Sequence, residues 1–230
     1  MGSASAVQSG FLYGFDFNDS DTPTIAEKLN TSNSDMAVVG GNWSESGSLY
    51  FNGTNGVYGQ IPNSAVNQIT GNLTISATFN PEGYNSPVII RKSNSYSLQL
   101  YSNLARFSVW NSSNVEHYVT ASSTFVDLYE THTITGEYNG THLNLWIDGI
   151  LDNSIEYSDG VKVSTNSLWS GALSSVTGKK TRMYDLYIYG KTVDDPSSFY
   201  TEATGEMPVE VDGYARLRTD FMRHRLREES

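Results

Sequence analysis

The chain has 230 residues, with 14 Lys+Arg against 25 Asp+Glu and no cysteine. Without cysteine there is no disulfide scaffold, zinc ribbon or thiol nucleophile, and the acidic balance argues against nucleic-acid binding, which needs a basic face. No run of about 18 apolar residues occurs, so no transmembrane segment is expected, while 38% hydrophobic and 12% aromatic residues supply enough material for a core.

Residues 1–10, MGSASAVQSG, are small and polar. They lack the basic and apolar regions of an export signal and read as a flexible N-terminal segment. From residue 11 to about 190, short alternating segments replace helical periodicity. Asn72–Phe79 places Leu73, Ile75, Ala77 and Phe79 on one face, and Tyr96–Tyr101, Arg106–Trp110, Leu143–Ile147 and Met183–Tyr189 alternate in the same way. Period two, with β-branched and aromatic enrichment, predicts half-buried antiparallel strands. Asn52-Gly53, Asn55-Gly56, Asn139-Gly140, Asp148-Gly149 and Asp159-Gly160 supply tight turns. The one helical candidate here is Thr24 to Leu29. About a dozen strands without helices between them imply an all-β domain over 11–202, a two-sheet antiparallel β-sandwich. No internal repeat of a length that would suggest a propeller or solenoid is found.

Residues 203–230 differ. Ala203 to Pro208 reads as a linker. Tyr214, Leu217 and Phe221 then follow helical spacing, Met222 and Leu226 extend the apolar side, and Arg218, Arg225 and further arginines fill the rest. That pattern predicts a short C-terminal amphipathic helix or tail, either a docking and oligomerisation element or a solvated helix. Up to residue 205 the chain holds nine basic and nineteen acidic residues, so the acidity belongs to the β domain.

Several segments in chain order carry a resemblance. They are Leu12-Tyr-Gly-Phe-Asp-Phe17; Ser48-Leu-Tyr-Phe-Asn-Gly-Thr-Asn-Gly-Val-Tyr58 with Ile61-Pro62; Leu73-Thr-Ile-Ser-Ala-Thr-Phe-Asn-Pro81; Thr131-His-Thr-Ile-Thr-Gly-Glu-Tyr-Asn-Gly140; Leu143-Asn-Leu-Trp-Ile-Asp-Gly149; and Tyr184-Asp-Leu-Tyr-Ile-Tyr-Gly-Lys-Thr-Val193. Together they resemble the concanavalin A-like jelly-roll superfamily, in its laminin-G-like and pentraxin-like branch. The chain departs from that pattern at Thr131 and Thr78, where the family usually has Trp, and at Leu186, where it usually has an acid. The resemblance implies a jelly roll whose first and last strands pair. It also implies one structural Ca²⁺ at a sandwich edge, with ligands from Asp16, Asn18 or Asp19, from Asn52 or Asn55, and from Asp185. The alternative is that Asp16 and Asp185 hydrogen-bond to loop backbone.

Sugar sites combine an aromatic platform with amide or carboxylate hydrogen bonds. Trp43 in a Gly-rich loop, Trp110 followed by Asn111 and Asn114, and Trp169 between polar loops are the candidates, against the alternative that each packs in the core or a hairpin. Trp146 is assigned to the core. Glycanase relatives use acids spaced E-x-D-x-E on one strand; the nearest match, Glu210-Val-Asp212, lacks the third acid. His132 and His142 with Glu130 and Glu137 read as hairpin-face polar residues or as a metal site. No nucleophile, phosphate-loop or metalloprotease motif occurs, so no enzyme activity is expected. The seven N-x-S/T sequons fall in a chain so rich in Asn, Ser and Thr that composition explains them.

The expected function is a non-catalytic recognition or adhesion module for glycans or a cell-surface ligand, displayed on a virion (tail fibre or capsid decoration) or an extracellular surface. It would act as a homo-oligomer or within a larger assembly. The alternative is a structural decoration protein anchored by its tail; a glycoside hydrolase comes last.

Overall fold

The computed structural model describes residues 11–16, 24–25, 36–39, 42–44, 48–54, 56–82, 88–102, 104–122, 129–171 and 180–199, with backbone alone for 11–16, 24–25, 42–44 and 198–199. Alternating sequence builds sixteen strands among these residues. They are β1 (Phe11–Asp16), β2 (Thr24–Ile25), β3 (Met36–Val39), β4 (Asn42–Ser44), β5 (Ser48–Asn52), β6 (Tyr58–Ile61), β7 (Leu73–Pro81) and β8 (Val88–Lys92). The series continues with β9 (Tyr96–Tyr101), β10 (Leu104–Trp110), β11 (Glu116–Thr120), β12 (His132–Tyr138), β13 (His142–Ile147), β14 (Ile150–Glu156), β15 (Leu168–Gly171) and β16 (Lys180–Tyr189). The only helical turns among the described residues are two short 3₁₀ segments, Ala65–Asn67 and Pro196–Phe199. No described helix is long and apolar enough to cross a membrane.

The strands form two antiparallel sheets. The first runs β14-β13-β12-β7-β16-β5-β4, with β1 also on β16; the second runs β11-β10-β9-β8-β15-β6-β3-β2. Between them lies one apolar core, the expected jelly-roll-like sandwich. β16 organises the first sheet. One edge pairs with β7, while the other carries β5 along Lys180–Met183 and β1 along Asp185–Tyr189. In β7, Leu73, Ile75, Ala77 and Phe79 are all fully buried, the face that alternation predicts. The sheets approach closely at Gly136 of β12, where a Cβ would lie 2.4 Å from the Phe107 ring of β10. Asp148-Gly149 forms the expected two-residue hairpin turn between Ile147 and Ile150, with φ of 49° and 78°. The Asp148 carboxylate accepts the Thr133 N–H at 2.8 Å and meets His132 Nδ1 at 2.8 Å.

After β16 the chain crosses the outer face of the first sheet. Thr74 Oγ1 donates to the Lys191 carbonyl at 2.9 Å, and Asn72 Nδ2 donates to Thr192 Oγ1 at 2.8 Å. Beneath this crossing, Glu137 of β12 is buried. One carboxylate oxygen takes the Asn144 amide at 3.1 Å, and the other is buried without a direct partner. Burial pushes its carboxyl above the usual range, an effect that Asn144 and the Val193 backbone partly offset.

Two expectations change. Thr24–Ile25 is a strand paired with β3, because an element this short takes its conformation from its sheet neighbour. In β13 the buried residues are Leu143 and Leu145, so Trp146 falls on the opposite, outer face and is half-buried. Residues 1–10 and the 203–230 helix lie outside the described residues.

Candidate functional site

Most of the unspent polar chemistry among the described residues lies on the outer face of the second sheet. In β9, Tyr96, Leu98 and Leu100 point into the core, so Ser97, Gln99 and Tyr101 point out. In β10 the inward set is Ala105, Phe107 and Val109, which turns Arg106, Ser108 and Trp110 outward. Cross-strand register then aligns one row across the sheet: Gln60, Trp169, Arg91, Ser97, Ser108 and Tyr118 are successive neighbours on β6, β15, β8, β9, β10 and β11. At about 4.8 Å per strand, Trp169 and Tyr118 stand roughly 19 Å apart, with Arg91 and the two serines between them.

The stretch from Trp169 to Tyr118 is aromatic and accessible at both ends. Trp169 is half-buried and makes an edge contact with Tyr58, ring centroids 4.8 Å apart. Tyr118 is 48% exposed. The middle is rich in donors. The Ser97 and Ser108 hydroxyls and the Nε atoms of Arg91 and Arg106 are buried with no hydrogen-bond partner. Four such groups on one face are many for a folded domain, in which nearly all buried polar atoms are paired. The Arg106 guanidinium lies 3.5 Å from the Tyr118 ring centroid and 4.9 Å from that of Tyr101, and Nη2 is bonded to Glu116 at 3.0 Å. Arg91 lies 5.6 Å from the Trp110 ring centroid.

The structure sorts the sequence candidates. Trp110 and Trp169 share this face on either side of Arg91, whereas Trp43 lies on β4 of the other sheet, opposite Leu49. Trp110 is only 8% exposed and covered by Arg91, which corrects its reading as an open platform: its outward position is roofed by a long neighbouring side chain. Asn111 and Asn114 shape the turn after β10. Asn111 Oδ1 accepts the Val115 N–H at 2.9 Å, and Asn114 Oδ1 accepts Lys162 Nζ at 3.0 Å.

The calcium candidates divide. Asp16 and Asp185 are direct register partners on β1 and β16, as the pairing of first and last strands implied. Asp185 Oδ1 also accepts the Thr78 N–H at 3.0 Å, the structural role weighed against metal binding. Asn52 pairs with Lys180, five residues along β16, roughly 16 Å from Asp185 at about 3.3 Å per residue. Ligands within about 2.6 Å of one ion cannot be that far apart, so Asn52 does not belong to a site with Asp185. Its Oδ1 instead accepts the Thr54 N–H at 2.9 Å. Asn18, Asp19 and Asn55 lie outside the described residues. No group of three or more His, Asp or Glu suited to a metal occurs among the described residues. His132 and His142 sit at opposite ends of the β12–β13 hairpin, which rules out the metal site read from them.

The buried Glu137 and Asp185 occupy rows of the first sheet defined by Tyr189 and Thr78, two strands and four residues apart, or roughly 16 Å along the backbone. That separation exceeds the 5–9.5 Å of a glycosidase carboxyl pair. Glu210 and Asp212, the nearest approach to a glycanase motif, lie outside the described residues, as do the tail positions Tyr214, Leu217, Arg218, Phe221, Met222, Arg225 and Leu226.

A family model described as concanavalin A-like lectin/glucanases superfamily (Laminin_G_3) matches residues 52–196, more than half of the chain. The chain belongs to this superfamily. No curated protein matches it significantly. Among solved structures, the binding domain of botulinum neurotoxin serotype G is similar with a TM-score of 0.68 at 15% identity, over 88% of this chain and 54% of that one. The binding domain of botulinum neurotoxin DC in complex with rat synaptotagmin II gives 0.63 at 18%, over 83% and 50%. Trypanosoma rangeli sialidase in complex with sialic acid gives 0.62 at 10%, over 85% and 33%. The chain therefore spans about half the length of the toxin domains, and the likeness is one of fold.

Within this lectin-like sandwich, sequence reasoning singled out the tryptophans and missed Arg91, Ser97, Arg106 and Ser108. A usable signal was present. Tyr96, Leu98 and Leu100 fix the inward phase of β9, which makes Ser97 outward, and Phe107 and Val109 do the same for Arg106 and Ser108.

Proposed function

We propose that the chain is a non-catalytic recognition module that binds a glycan or other surface ligand on the outer face of the second sheet. The observation that carries this reading is the row from Trp169 to Tyr118, with accessible aromatics at its ends and unpartnered hydrogen-bond donors in its middle. Aromatic faces stack on the apolar faces of sugars while side-chain donors fix orientation. The superfamily match and the similarity to toxin binding domains and to a sialidase solved with sialic acid support a ligand-binding role. The proposed setting is a virion or extracellular surface, with the module held in an oligomer or larger assembly. The proposed structural Ca²⁺ keeps the Asp16–Asp185 pair with Asn18, Asp19 or Asn55; a melting temperature that does not change with chelator rejects it.

The test of the main reading is a glycan array followed by calorimetry on the strongest hit. Trp169→Ala should weaken binding about fivefold or more, the worth of one aromatic contact, with the fold intact by circular dichroism. An array without hits, or an unchanged affinity in the variant, rejects the site.

A further inference from the structure

Three arginines fall in the described residues, and they are not equivalent. Arg106 is bonded to Glu116, and Arg182 Nε to Glu82. Arg91 has neither a hydrogen bond nor an ion pair among the described residues, and its Nε–H is buried without an acceptor. In a chain with a formal charge of −11, carboxylates are plentiful, yet none among the described residues meets this guanidinium. Its surroundings add donors rather than acceptors. Ser97 lies directly across on β9 and Ser108 beyond it on β10, both fully buried with hydroxyls that have no partner. Trp110 on one side and Trp169 on the other wall the position with aromatic surface. A buried guanidinium edge without an acceptor costs free energy that an anionic oxygen recovers and a neutral hydroxyl recovers only in part. The planar fork also fits the two oxygens of a carboxylate or sulfate.

Resting on the recognition function proposed above, we infer that the ligand of this face is an acidic saccharide, whose carboxylate or sulfate is held by the Arg91 guanidinium between Trp110 and Trp169, above the Ser97 and Ser108 hydroxyls. Arg91 supplies the charge, Trp169 supplies the sugar-facing wall, Trp110 is the surface on which the guanidinium rests, and the serines are the polar floor that the anionic oxygens reach as Arg91 turns toward them.

The experiment is calorimetric titration of the full chain at low salt with matched pairs of saccharides: sialyllactose and lactose, trigalacturonate and galactotriose, sulfated and unsulfated N-acetyllactosamine. At least one acidic member should bind about tenfold tighter than its neutral partner, the worth of one charge-assisted contact, and added salt should shrink the gap. The first two pairs report a carboxylate ligand and the third a sulfate. Arg91→Gln should abolish the preference, Arg91→Lys should keep part of it, and Trp169→Ala should weaken both members of a pair alike. If Arg91→Gln lowers the melting temperature into the assay range, Ser97→Ala and Arg91→Lys carry the same comparison. Equal affinities within every pair, or a preference untouched by the Arg91 variants, overturn the acidic-ligand inference and leave the recognition reading standing. Binding to no saccharide at all overturns both.

Discussion

Lys92 is an ammonium group inside the sandwich, held by neutral oxygens alone: Asn63 Oδ1 at 2.9 Å, Asn67 Oδ1 at 2.8 Å and the Asn166 carbonyl at 2.6 Å. It is fully buried and fastens two loops to the end of β8. Lys92→Met should cost about 1–3 kcal/mol in urea denaturation, since these acceptors lose their donor. Burial lowers the lysine pKa from 10.5 to about 8. Between those values the unfolded chain keeps a proton that the folded chain has released, so the lysine's contribution to stability rises with pH across the window. The gap between wild type and Lys92→Met should therefore be wider at about pH 9.5 than at about pH 7. Glu137 titrates with the opposite consequence. Its folded pKa is raised by burial, so its favourable contribution is full below the usual glutamate pKa and lost as pH rises through the folded value. Glu137→Gln should raise stability at neutral pH by about 1 kcal/mol and flatten the loss seen between acidic and neutral melts; a variant less stable than wild type at neutral pH contradicts this account.

At the level of elements, β10 and β12 approach closely across the core at Gly136. Gly136→Ala places a methyl group within the Phe107 ring envelope and should destabilise the fold by about 1–3 kcal/mol, with Phe107→Leu in the same chain recovering part of the loss. Strands of this kind were legible where alternation ran long: β7, β9, β13 and β16 all contain the segments that period two marked out. Short pieces were not. Thr24–Ile25 is too brief to show a period and becomes β2 only through its pairing with β3. The functional face was legible in part. Tryptophans stand out by type, but Ser97 and Ser108 acquire meaning only when register sets them side by side, and Trp146, read from its apolar neighbours as core, turns outward because Leu143 and Leu145 set the phase of β13.

The sandwich as a whole depends on pairings between distant parts of the chain. β16 lies between β7 on one edge and β5 and β1 on the other, so the family-matched stretch, residues 52–196, omits partners that the first sheet needs. Expressed alone, that stretch should aggregate or give a poorly dispersed NMR spectrum, while residues 11–202 should fold; a well-dispersed, monomeric 52–196 fragment would count against the shared-edge arrangement. The proposed docking role of residues 203–230 belongs to the same scale. Light scattering should report a larger species for the full chain than for residues 1–205, and equal masses reject that role. The β1–β16 register places Phe11 opposite Tyr189. The first strand thus starts beside the end of the last, and of the described residues only the stretch that runs over β7 toward β12 lies beyond that corner, so a short linker from it back to Phe11 need not thread the core. That makes the sandwich an insertable cassette: a circular permutant that links these two ends and reopens the exposed Ser158-Asp159 turn after β14 should keep both sheets, and a host protein could carry the whole module within one of its surface loops.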